Sequence, residues 1–136
     1  MVKIFISYVS EDKGSMANVL QWTKDDPLIK VKFNSDKLLI DKFKEHKQLT
    51  EPIITKELAE LIDQSSAILI LVGNDTHNKP WIEWEYNYAQ NHNLKVGLMR
   101  VPNSTGASHP LLPNLPIEKF KLKSLKKMIK EWGWVQ

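Results

Sequence analysis

Two kinds of apolar pattern alternate along this chain. Val2 to Tyr8 (Val-Lys-Ile-Phe-Ile-Ser-Tyr) is a nearly continuous run of β-formers, as expected of a strand covered on both faces. Met16, Val19, Leu20 and Thr23 then recur at helical spacing. Ser10 is the candidate N-cap of that helix, with Glu11 and Asp12 in its first turn, where the helix dipole favours acids. Asp25-Asp26-Pro27 breaks it. Ile29-Lys30-Val31-Lys32-Phe33 alternates strictly, which predicts a second strand, and its lysines suit a sheet edge. Asn34 to Gln48 is charged, with Leu38, Leu39, Ile40 and Phe43 as its apolar anchors, and reads as a mobile loop region at the C-terminal end of that strand. Thr50-Glu51-Pro52 opens the next helix, whose buried stripe is Ile54, Leu58, Leu61 and Ile62.

Ala67 to Val72 is the most hydrophobic run, and it predicts a central strand. A helix, a fourth strand over Lys95 to Val101, and a long proline-containing loop over Pro102 to Pro116 follow. Ile117 to Phe120 suits a short fifth strand, and Ser124 to Trp132 a closing helix with Leu125, Met128, Ile129 and Trp132 inward. Strands alternating with helices predict an α/β three-layer sandwich: a mostly parallel, roughly five-stranded sheet with helices on both faces. Ligands in such folds bind outside the carboxyl ends of the strands, where strand order reverses. That rule collects Ser7, Tyr8 and Ser10 after the first strand, Asn34 to Asp36 after the second, Asn74 to Thr76 after the third, and the start of the helix that carries Glu85, all on one rim.

The helix after the third strand carries the most informative pattern. Pro80 suits a first turn, where its missing N–H costs nothing. Trp81, Trp84, Tyr88, Ala89 and His92 fall on one face, and Glu85 falls in the middle of that stripe. Glu83 points the other way, with Asn87 and Gln90, and reads as a solvated-face residue. An inward carboxylate needs a reason, because burying an unpartnered charge is expensive. Glu85 is either an edge carboxylate paired with a lysine or capping a loop, or a functional carboxylate at a cleft wall.

The chain has 136 residues, read as a single domain over 1–136, with 42% hydrophobic and 26% charged residues. No run of apolar residues is long enough for a membrane span, and the N-terminus shows no signal-peptide pattern. There are no cysteines, which rules out disulfides and cysteine nucleophiles and fits a cytoplasmic location. The net charge of +3 reflects lysines concentrated in the last helix; a solvated helix face accounts for them, and no nucleic-acid partner is expected.

No glycine-rich phosphate loop follows any strand, and His46, His77, His92 and His109 lack metal spacing, so no metal site is expected. No nucleophile elbow is present. Asp12 follows the first strand as a phosphoacceptor aspartate could, but a receiver domain expects an aspartate ending the third strand, where this chain has Gly73. What remains is metal-free chemistry by one carboxylate among aromatic rings and hydroxyls. Cleavage of a glycosidic bond through an oxocarbenium-like transition state is one such reaction.

Phe5-Ile6-Ser7-Tyr8-Val9-Ser10-Glu11-Asp12 resembles the opening motif of TIR (Toll/interleukin-1 receptor) domains. Leu71-Val72-Gly73, followed by Trp81 and by Glu85 four residues on, resembles the third strand and the Trp-x-x-x-Glu helix of the same family. The run Ile-Leu-Val-Gly-Asn-Asp-Thr-His-Asn-Lys-Pro-Trp-Ile-Glu-Trp-Glu is similar to the TIR-like proteins of bacterial Thoeris anti-phage systems, and the match in element order spans about residues 2 to 101. The resemblance implies a flavodoxin-like sandwich and an enzyme that consumes NAD as substrate, with no cofactor. Such an enzyme releases nicotinamide and forms ADP-ribose or a cyclic isomer as a defence signal. It implies Glu85 as catalytic carboxylate, and substrate contacts from Ser7, Tyr8, Ser10, Asn34, Asp36 and Trp81, the last mainly as packing. Asn34 to Phe43 corresponds to the loop that gates NAD and mediates TIR–TIR contacts, although it lacks the glycine and proline common there. The implied partners are NAD, further copies of the chain and a separate effector that senses the product, with no membrane partner. Two other readings stay open: a non-catalytic TIR interaction module, and a nucleoside deoxyribosyltransferase-like enzyme.

Overall fold

A computed structural model describes residues 1–8, 12–33, 59–60, 62–74, 76, 80–106 and 115–134. Five strands, β1 (Val2–Ser7), β2 (Ile29–Phe33), β3 (Ala67–Val72), β4 (Lys95–Arg100) and β5 (Ile117–Glu118), form one sheet. All pair in parallel, in the order β2-β1-β3-β4-β5. The order fits the sequence: the strand richest in apolar residues, β3, is central and buried at every position, and the lysine-bearing β2 forms one edge.

The chain moves outward from β1 to β2, then crosses back over β1 to β3 and continues to β4 and β5. Strand order therefore reverses between β1 and β3. The carboxyl ends of those two strands, at Ser7 and Val72, flank the crevice where α/β sheets bind ligands.

Side chains alternate across the sheet and build two cores. On one face Ile4, Ile6, Leu69, Leu71 and Met99 pack with Met16 and Val19 of helix α1 (Lys13–Thr23) and with Leu125, Met128 and Ile129 of helix α3 (Leu122–Glu131). Phe120 packs beside Trp22 there, ring centroids 4.6 Å apart. On the other face Phe5, Ile68, Ile70, Val72 and Leu98 pack with Ile62 and with Ala89 of helix α2 (Pro80–Asn91). Residues 59–60 and 62–63 are helical, consistent with the end of the expected second helix, whose earlier part lies outside the described residues.

Several boundaries differ from the sequence reading. The first helix begins at Lys13, with Asp12 rather than Ser10 as its N-cap and no acid in its first turn. The reason lies across the sheet: the Asp12 carboxylate sits against the Cα of Gly73, where a β-carbon would meet it, and makes no cap hydrogen bond. The fifth strand is shorter than expected, and the closing helix starts earlier, at Leu122. His92 does not face the core: α2 ends at Asn91, and His92 is exposed, stacked on Tyr88 at 3.9 Å. The chain turns there because Asn93 takes the left-handed conformation (φ 58°), with Leu94 N–H donating to Ala89 C=O. Gly133 (φ 101°) ends α3 the same way, with Trp134 N–H donating to Ile129 C=O.

Candidate functional site

The alternation that builds the cores also decides which end-of-strand side chains meet. Ile4 and Ile6 point toward α1 and α3, so Phe5 and Ser7 point toward α2. Helical spacing brings Glu85 onto the same α2 stripe as Ala89, while Asn87 and Gln90 are exposed. Ser7 and Glu85, each 2% exposed, are thus both buried between the sheet and α2, at the β1 side of the crevice. An isolated carboxylate in an apolar layer holds its proton. Burial raises the Glu85 pKa to about 8, and the nearby Ser7 hydroxyl, as a hydrogen-bonding neighbour, opposes that rise. Among the described residues, neither Ser7 Oγ nor Glu85 Oε2 has a hydrogen-bond partner.

The floor of the crevice is the turn after β3. Thr76, fully buried, accepts a hydrogen bond from Gly73 N–H at 2.8 Å and donates to Leu71 C=O at 3.1 Å. The turn is therefore held by a side chain and not by sheet pairing. The chain leaving β4 closes over it: Ser104 Oγ lies 3.2 Å from Val72 C=O, and Thr105 N–H donates to Asn74 Oδ1 at 2.9 Å. The Arg100 guanidinium donates to Gly106 C=O. Gly106 passes so near the turn that a β-carbon there would sit 2.7 Å from Asn74 Cα.

Of the residues expected at the site, the structure brings Ser7 and Glu85 together. Tyr8 leaves β1 toward the opposite face, where it is half-buried against the α1/α3 core and its pKa is raised by burial. Trp81 lies in the first turn of α2, but its side chain, like that of Glu83, is outside the described ones. Ser10, Asn34 and Asp36 lie outside the described residues. Sequence reasoning gave no role to Arg100, to the 104–106 segment or to Thr76 as the lock of the β3 turn. The signal for the first two was a strand ending in arginine and followed by Pro-Asn-Ser-Thr-Gly, and it was read only as a loop.

A parallel sheet in this order is a flavodoxin-like α/β arrangement, here with a buried glutamate on the helix after its central strand. Residues 5–106 match the family model for the TIR-like domain of the Thoeris protein ThsB. The match runs from within β1 to the segment that covers the β3 turn, and the chain belongs to this family of Thoeris defence proteins. No curated protein matches the chain. No helix among the described residues is long and apolar enough to cross a membrane.

Proposed function

We propose that this TIR-like domain is an NAD-consuming enzyme with Glu85 as its catalytic carboxylate. The observation that carries the reading is a carboxylate 2% exposed, with an oxygen that has no hydrogen-bond partner among the described residues, beside the crevice at the strand-order reversal. A carboxylate with a purely structural role gains its place from a cation or a set of donors, and Oε2 has neither. At rest, burial favours the neutral acid. The nicotinamide ring of NAD carries a positive charge, and its arrival favours the anion. As the bond between ribose C1′ and the pyridinium nitrogen breaks, the electron pair leaves with nicotinamide and positive charge gathers on the ribose. The Glu85 anion stabilises that charge. Water adding at C1′, with loss of a proton, gives ADP-ribose; a nucleophilic atom of the same molecule adding there gives a cyclic isomer.

The same reading assigns the product to a separate effector as a nucleotide signal, and it makes self-association the means by which neighbouring copies complete the site. The test is incubation of concentrated protein with NAD beside Glu85→Gln, with products resolved by chromatography and mass spectrometry. Nicotinamide release that falls at least about 10²-fold in the variant is the expected result. The second product's mass separates hydrolysis from cyclisation. Absence of release from the unaltered protein at high concentration, with crowding agents and phage lysate also tried, overturns the reading in favour of an interaction module.

A further inference from the structure

Ser7 poses a question that substrate contact does not answer. Its hydroxyl is as buried as Glu85 and has no partner in full hydrogen-bond geometry, although a serine at the end of a strand ordinarily bonds a nearby backbone group. An alanine would fill the same space without leaving a polar atom unsatisfied. The other buried, unpartnered oxygen on this face of the sheet, among the described residues, is Oε2 of Glu85. Two orphaned oxygens, one on the sheet and one on the helix packed against it, complement each other best when Glu85 is ionised, since the neutral carboxyl and the hydroxyl can share an ordinary bond and the anion accepts a stronger, charge-assisted one. When Glu85 is ionised, the hydroxyl can donate to it, and both oxygens are then satisfied.

We propose that Ser7 is a positioning residue for Glu85, its hydroxyl donating to the carboxylate oxygen Oε2 when the carboxylate is ionised and so fixing the anion toward the crevice. The inference rests on the NAD-consuming reading for its role in turnover, but the Ser7–Glu85 pairing forms on ionisation of Glu85 and needs no substrate. The charged and titratable groups on the surrounding described elements are occupied elsewhere. Asp12 lies against Gly73, Arg100 donates to Gly106 C=O, Asp63 accepts from the Tyr88 hydroxyl, and Tyr8 packs toward the opposite face. Among the described residues, Ser7 is the side chain placed to oppose the effect of burial on Glu85.

The experiment is a carboxyl titration of the whole chain labelled with ¹³C at glutamate Cδ, with the Glu85 resonance assigned by its loss in Glu85→Gln. In Ser7→Ala the midpoint is expected to rise by about one pKa unit, a tenfold change in proton affinity. In Ser7→Thr, which keeps the hydroxyl, it is expected to stay nearer the unaltered value. Thermal melts check that both variants fold. Equal midpoints in Ser7→Ala and the unaltered protein overturn the proposal. The titration needs no turnover, so it stands or falls separately from the enzyme reading. Where NAD is cleaved, Ser7→Ala should move the acid limb of the kcat/KM profile upward by the same amount and recover activity at alkaline pH. A uniform loss at every pH would assign Ser7 a structural role only and overturn the proposal.

Discussion

The two faces of the sheet are built by the same alternation and to different ends. Against α1 and α3 the core is apolar, and its one buried helical hydroxyl with an assigned bond, Thr23, donates within its own helix to Val19 C=O at 3.0 Å. Against α2 the apolar cluster is smaller, and it adjoins Ser7 and Glu85, two buried polar groups whose oxygens are not mutually satisfied. The first face is organised for stability. The second gives up stability at a buried carboxylate whose proton affinity is raised.

Glu85→Gln tests this contrast with the largest effect. Besides removing turnover, it should make the protein more stable at neutral pH, because an amide buries without ionising. Below pH 4.5 the Glu85 carboxyl is protonated in both the folded and the unfolded chain. Between 4.5 and about 8 the unfolded chain releases the proton and the folded protein keeps it, so stability falls as pH rises, and it levels off above 8. The gain of the variant over the unaltered protein should therefore widen across that window, to the order of a few kcal/mol. Denaturant melts at pH 5 and pH 8 measure it; a gain independent of pH would place the strain elsewhere.

Ile129→Ala probes the other face. Ile129 is fully buried in the α1/α3 core, and truncation should cost about 2–5 kcal/mol while leaving activity per folded molecule unchanged. Loss of activity in excess of the folded fraction would show that the two faces are coupled.

A pair of glycines sharpens the comparison at smaller scale. A β-carbon at Gly106 meets the backbone of Gly73 and Asn74, which cannot yield without moving the β3 turn. At Gly97 it meets Met128 Sδ at 2.6 Å and Trp132 Cζ2 at 2.8 Å, and a methionine end can rotate away. Gly106→Ala should cost about 1–3 kcal/mol and Gly97→Ala less, and only the first should impair nicotinamide release. Least of all, Lys127→Ala removes an exposed lysine 3.4 Å from Glu118 and should change stability by under about 0.5 kcal/mol in urea melts.

Much of this was legible along the chain. The alternation of Ile29 to Phe33 gave an edge strand, the unbroken run Ala67 to Val72 a central one, and Pro80 the start of the helix that carries Glu85. The inward placement of Glu85 followed from helical spacing alone. Helix ends were less legible, because they depend on partners distant in sequence. Asp12 became the cap of α1 through its fit against Gly73, and His92 left the α2 stripe because Asn93 turns the chain.

The periodicity of local sequence therefore determined the elements, their apolar faces and the inward aim of Glu85, since each depends on residues a turn or a pleat apart. The full strand order was beyond it, and with it the reversal between β1 and β3 that opens the crevice beside Ser7 and Glu85. So was the closing of the 104–106 segment over the β3 turn. Those are decisions of packing between segments far apart in the chain, where burial and the satisfaction of polar groups are settled together.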